Sequence, residues 1–301
     1  MKVYVNFELP RDIEERLASK IEVVKGGDLS EVEAALVVKI EPWELSKMPR
    51  LKFIQVVTAG LDHLPWEYIP PHVAVAGNAG SNADAVVEFA LALLLAPYKK
   101  VLQYNERMKR GEYTKPLSIP LLTRRKVAVL GMGEIGARVA RVLATLGAEV
   151  WGFARRFREG PWRFTNNLGE ALEGAHAAVC ALPLNKYTRG LVRYEHLALM
   201  SRDAVFVNVG RAEVVDREGL LRLLKERPGF IYASDVWWGR ADFTKDEEFY
   251  KLPNVVATPW VAGGYGSEEV WRKMVEDAVD NLIKWAAGGE VRNLARREDY
   301  I

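Results

Sequence analysis

Cysteine and histidine are scarce in this chain, which has one of the former, Cys180, and four of the latter among 301 residues. A single cysteine excludes an intrachain disulfide. Its setting in the apolar run Ala177-Ala178-Val179-Cys180-Ala181-Leu182 predicts a buried, inert thiol, consistent with a reducing cytoplasm. The sequence contains no His-Glu-x-x-His pair, cysteine cluster or carboxylate array, so no metal site is expected. Net charge is almost absent as well, with 42 Lys and Arg against 40 Asp and Glu. A nucleic-acid or anionic-membrane partner usually requires a basic excess or block, and neither is expected here. The most apolar segment, Phe89 to Ala96, is closed by Glu88 and Pro97 and falls far short of a bilayer span. Met1 to Glu8 passes from a strand-like run into charges, so no export signal is expected.

What is present is alternation. Val3–Phe7, Ile21–Val24, Ala35–Val38, Phe53–Val57 and Val73–Ala76 read as short strands, with helical patches at Ile13–Lys20 and Trp43–Met48. From Asp84 to about Met108 the apolar spacing predicts a long connecting helix, with Pro97 as its one break point, followed by a loop over Gly111–Leu122. A second series follows at Lys126–Leu130, Glu149–Phe153, Ala177–Leu182, Ala204–Asn208, Ile231–Ser234 and Val255–Thr258. Six strands complete a doubly wound sheet. A helix opened by Ser267-Glu268-Glu269 ends at Gly288-Gly289 and is expected to rejoin the first domain. The predicted fold class is α/β, with two doubly wound parallel-sheet domains of Rossmann or flavodoxin type and a cleft between them. The expected domains are 1–96 plus 268–301 for substrate and 97–267 for a dinucleotide.

Lys126-Val127-Ala128-Val129-Leu130-Gly131-Met132-Gly133-Glu134-Ile135-Gly136 is a strand, a glycine turn and a helix start, the context a dinucleotide fingerprint requires. Gly131 permits the turn and Gly133 lets backbone approach a pyrophosphate. Gly136 lets helix and strand pack closely, with the helix start, Glu134 and Ile135, facing the phosphates. NAD sites place a carboxylate after the second strand to hold the ribose 2′-hydroxyl. Here Ala154 is followed by Arg155 and Arg156, a guanidinium site for a 2′-phosphate. NADP is therefore the expected cofactor, with NAD the alternative.

Several further segments, in order, resemble the D-2-hydroxyacid dehydrogenase family, which includes glyoxylate and hydroxypyruvate reductases, phosphoglycerate dehydrogenases and NAD-linked formate dehydrogenases. They are Thr58-Ala59-Gly60-Leu61-Asp62-His63, Gly77-Asn78-Ala79-Gly80, Leu182-Pro183-Leu184, Val207-Asn208-Val209-Gly210-Arg211, Ser234-Asp235-Val236 and Pro253-Asn254-Val255 to Thr258-Pro259. The resemblance implies that Arg211 grips the carboxylate and carbonyl of a 2-oxo acid, helped by the backbone amides of Ala59 and Gly60. It places Lys39 and Asn78 toward the substrate, and Leu182, Pro183, Val209 and Asp235 at the cofactor. It also implies a homodimer paired through the long helix.

Two departures stand out. The family's catalytic pair is a glutamate a few residues after Asp-Val and a histidine after Thr-Pro. This chain has Arg240 or a near neighbour at the first place and Trp260 at the second. Hydride delivery to a ketone leaves an alkoxide that needs a proton, and an indole N–H does not release one near neutral pH. Trp260 either stabilises charge at the site or packs as an ordinary aromatic. His63, Lys39 and Tyr265 are the alternative acids. The leading expectation is hydride transfer between NADP(H) and a small 2-hydroxy or 2-oxo acid. Formate oxidation, which delivers no proton, is one alternative, and a nucleotide-binding protein without chemistry is the other.

Overall fold

The computed structural model describes residues 1–113 and 119–301, so the expected loop at Gly111–Leu122 lies partly outside the described residues. The chain folds as two units, Met1–Ala83 with Gly263–Ile301, and Asp84–Ala262.

In the first unit, β1 (Lys2–Val5), β2 (Glu22–Val24), β3 (Val32–Val37), β4 (Phe53–Val56) and β5 (Ala74–Ala76) form one parallel sheet in the order β2-β1-β3-β4-β5. Strands buried on both faces read as near-continuous apolar runs. Val3, Val5, Leu36 and Phe53 turn one way, onto Ile13 and Leu17 of the helix Arg11–Ala18 and onto Met274, Val279 and Leu282 of the helix Glu268–Ala286. Tyr4, Ala35, Ile54 and Val56 turn the other way, onto Leu45, Leu64, Trp66 and Ile69. The C-terminal helix starts as expected, with the Ser267 hydroxyl accepting from the Val270 amide, and Gly288 takes the left-handed conformation beyond its end. A buried hydrogen bond from Asn281 to Gln55 Oε1 (2.7 Å) ties this helix back to β4.

The second unit carries β6 (Lys126–Leu130), β7 (Glu149–Phe153), β8 (Arg163–Thr165), β9 (Ala177–Cys180), β10 (Val205–Asn208), β11 (Ile231–Ser234) and β12 (Val255–Ala257). Their order is β12-β11-β10-β9-β6-β7-β8, all parallel, with the reversal of strand order at β6 and β9. β8 is absent from the sequence expectation because it has three residues, one of them apolar, at a sheet edge. Cys180 lies in β9, fully buried, and burial pushes its thiol up to about 12, so the reactive thiolate is not populated near neutrality.

The long helix is two helices, Ala83–Tyr98 and Val101–Lys109. Pro97 has no N–H to donate in the last turn, and Lys100, at φ 57°, turns the chain. The first of these helices buries Val86, Val87, Ala90, Leu93 and Leu94 against Val127, Val129, Val179 and Val207 of the seven-stranded sheet. All of it after Ala83 therefore belongs to the second unit. The two units divide at 83/84 and again at 262/263. The second helix buries none of its residues, leaving Val101, Leu102 and Met108 exposed. Among the described residues no helix is long and apolar enough to cross a membrane.

Candidate functional site

In open α/β sheets ligands bind outside the carboxyl ends of the strands, at the reversal of strand order. In the second unit the glycine fingerprint, Ala154–Arg156, Leu182–Pro183, Val209–Arg211, Asp235 and Thr258–Trp260 follow the carboxyl ends of their strands, while Pro253-Asn254 precede β12. Gly131 follows β6 at φ 94°, and a Cβ there would lie 2.9 Å from the Ala181 carbonyl oxygen. A Cβ on Gly136 would lie 1.8 Å from the Gly131 oxygen, so no side chain fits. Gly133 is the opposite case. A Cβ there meets nothing within 4 Å, so its backbone is open to approach. It also precedes the helix Glu134–Thr145 without a side-chain cap, leaving the first-turn amides to an anion. Glu134 is turned toward Arg138 (3.4 Å), and Ile135 packs partly into the core. This glycine cradle fits a dinucleotide pyrophosphate.

Next to it, β7 ends in half-buried Ala154 and exposed Arg155 and Arg156. After β9, Leu182 packs into the core while Pro183 is exposed. A Cβ on Gly210 would come within 2.5 Å of the Leu182 carbonyl oxygen, so glycine is what lets the ends of β9 and β10 approach. Val209 is also a core side chain, and its amide donates to the Cys180 carbonyl (3.0 Å).

Arg211 stands three residues past β10 on a turn shaped by buried Asn208. The Asn208 oxygen accepts from the Gly210 amide (3.1 Å), and its amide donates to the Arg211 carbonyl (3.0 Å). The guanidinium carbon of Arg211 lies 5.6 Å from the Trp260 ring centroid, a cation–π contact. Trp260 has φ 60°, a left-handed backbone that bulky residues adopt only when their surroundings impose it. The constraint comes from Asp235, which is buried just after β11. Its carboxylate accepts from Thr258 Oγ1 (2.6 Å), the Val261 amide (3.0 Å) and the Ala262 amide (2.8 Å). Trp237 Nε1 adds a bond to the Thr258 carbonyl (2.9 Å). The residue expected at the nicotinamide thus spends three of its acceptor positions holding the Trp260 loop. Arg240, also left-handed at φ 53°, reaches the Glu213 carboxylate (3.3 Å) two residues beyond Arg211. Glu213 is absent from the sequence reading, since nothing in its spacing shows that it pairs with Arg240.

The first-unit residues also lie at carboxyl strand ends. Ala59 and Gly60 follow β4 in a loop closed by Thr58 Oγ1 donating to the Gly60 carbonyl (3.1 Å), and neither amide donates a backbone hydrogen bond among the described residues. Lys39, after β3, is largely exposed and lies 3.4 Å from Glu41. Asn78 differs from the expectation. It is buried, and its amide hydrogens go to the carbonyls of Val57 (2.9 Å) and Met274 (2.7 Å), so its side chain fastens the C-terminal helix rather than presenting donors to a ligand. Of the alternative acids, His63 Nε2 is bonded to the Val38 carbonyl (2.8 Å), and Tyr265 is exposed with its ring stacked on Trp271.

Comparison with known proteins matches residues 91–262 to the profile of the D-isomer specific 2-hydroxyacid dehydrogenase NAD binding domain. A glyoxylate/hydroxypyruvate reductase B of Klebsiella pneumoniae subsp. pneumoniae is 30% identical, over 89% of this chain and 82% of that protein. A glyoxylate reductase of Pyrococcus horikoshii is 26% identical, over 99% and 96%. Among solved structures, a provisionally named formate dehydrogenase from Pyrobaculum aerophilum is 72% identical, with TM-score 0.98 and full coverage of both chains. With its glycine cradle, its doubly wound sheet and these matches, the chain belongs to the D-isomer specific 2-hydroxyacid dehydrogenase family and is a nicotinamide-dependent oxidoreductase.

Proposed function

We propose that this protein transfers hydride between NADP(H) and a small 2-hydroxy or 2-oxo acid. The observation carrying the reading is Arg211, whose turn is shaped by Asn208 at the same sheet edge as the glycine cradle. A planar, permanently charged guanidinium suits a carboxylate beside a carbonyl. Substrate contacts are assigned to Arg211 and Trp260 and, on the first unit, to Ala59, Gly60 and Lys39. The cofactor is assigned to Gly131, Gly133, Glu134, Ile135, Gly136, Arg155, Arg156, Leu182, Pro183 and Val209. Asp235 acts on it through the loop it anchors. When bound, the reduced nicotinamide supplies the hydride. The protein's part is to orient the acid and stabilise the charge that develops on its oxygen.

The 2′-phosphate preference rests on Arg155 and Arg156 at a strand end without a carboxylate. Charge-assisted contacts of about 1.5–3 kcal/mol correspond to NADPH binding roughly ten- to a hundred-fold tighter than NADH. Fluorescence titration with both cofactors should show that ratio, and R155A/R156A should erase it. Equal affinities in the unmodified protein would defeat the assignment.

A second reading, formate oxidation, is favoured by Trp260 and Arg240 standing where the proton-delivering pair belongs, and by the name given to the 72% identical structure. NADPH oxidation with glyoxylate or hydroxypyruvate, set against NADP reduction with formate, separates the two. Cofactor binding without turnover of any of them leaves a nucleotide-binding role.

The quaternary state is proposed to be a homodimer. Exposed Val101, Leu102, Met108 and Leu121 form an apolar set, and a groove of about 960 Å³ lined by Leu102, Arg125, His176 and Arg202 lies at the amino ends of the strands. Sedimentation at micromolar concentration should give twice 33.9 kDa, and a monomer would refute the pairing.

A further inference from the structure

Tyr187 is half exposed on the loop after β9. The loop is held in one shape. Asn185 Oδ1 accepts from the amides of Tyr187 (2.9 Å) and Thr188 (3.1 Å). Buried Thr188 accepts from the Asn185 amide (2.9 Å) and donates to the Pro183 carbonyl (2.6 Å). Two cations converge on the ring so placed. The Arg155 guanidinium carbon is 5.3 Å from its centroid, and the Lys186 ammonium is 5.4 Å from it.

We propose that Tyr187 is a positioning residue for the 2′-phosphate. Its rigid ring holds Arg155 in the orientation that receives the phosphate, with Lys186 as an additional cation for the same group. The inference rests on the NADP reading given above and deepens it. The physical reason is preorganisation. A long arginine side chain loses rotamer freedom when it closes on a ligand, and stacking it beforehand on a ring fixed by the Asn185–Thr188 turn removes part of that cost. Phenylalanine offers the same π face and should preserve the effect, whereas alanine should not. A ring serving only the adenine or the loop would influence NADPH and NADH alike.

The test is titration of NADPH and NADH against the unmodified protein, Y187A, Y187F, K186A and R155A, with thermal melting to confirm folding. Y187A should weaken NADPH by roughly three- to ten-fold while moving NADH less than about two-fold. Y187F should stay near the unmodified ratio, and K186A should reduce both the NADPH preference and its salt dependence. If R155A abolishes the preference while Y187A leaves it unchanged, or if Y187A weakens both cofactors equally, the inference is overturned and the NADP reading stands. If the unmodified protein has no preference, the NADP reading itself fails, and the inference with it.

Discussion

Replacing Arg211 with glutamine should lower kcat/KM for glyoxylate or hydroxypyruvate by about thirty-fold or more, from loss of roughly 2–5 kcal/mol of charge-paired binding. The affinity for NADPH should change less, because among the assigned cofactor residues only Val209 shares the β10 strand end with Arg211. The loss should be specific to chemistry on an anionic substrate. Asn208 bonds the backbone of the turn rather than the guanidinium, so the turn should survive the substitution. Lysine should not rescue the activity, since a point charge lacks the paired donors of a guanidinium and its stacking on Trp260. Steady-state kinetics with R211Q and R211K, alongside NADPH titration, supply the check. Retention of more than about a third of kcat/KM in R211Q would remove Arg211 from the substrate site.

The second large effect concerns the missing proton donor. Trp260→His alone should raise glyoxylate reduction by no more than about three-fold, because an imidazole there has no carboxylate to orient it or keep it protonated. The backbone is not an obstacle, since histidine is among the residues enriched in the left-handed region that Trp260 occupies. Arg240→Glu would supply the carboxylate, but Arg240 now pairs with Glu213 (3.3 Å). The new glutamate would face an old one, and two close carboxylates raise each other's pKa and push apart. The double variant W260H/R240E should therefore gain less than W260H/R240E/E213Q. The triple variant should exceed the product of the single effects, reaching about a hundred-fold over the unmodified protein if general acid catalysis is recovered. If formate is the substrate, no variant should gain, as no proton is delivered. Strong glyoxylate reduction by the unmodified protein, lost in H63A or Y265F, would show that another acid already serves.

The fold and the glycine turn after β6 were legible in the sequence because their signals are local. A β-α-β alternation, a fingerprint of glycines within six residues and an arginine pair after Phe153 are each written in a single stretch of chain. That Trp260 stands where the family keeps a histidine was legible only through the resemblance of Thr258-Pro259 to the family's motif. The parts decided by tertiary structure all depend on residues far apart in sequence. The helix Ala83–Tyr98 joined the second unit because its apolar face found Val127 and Val179, not because of any boundary signal near Pro97. Strand β8, too short to show a period, exists by pairing with β7. Asp235 spends its oxygens on a loop beginning 23 residues onward, Asn78 reaches Met274, and Glu213 meets Arg240 across 27 residues. Hydrogen bonds, ion pairs and ring contacts act over a few ångströms, so the partner of a polar side chain is set by which strand ends the sheet brings together, and residue spacing carries no record of that.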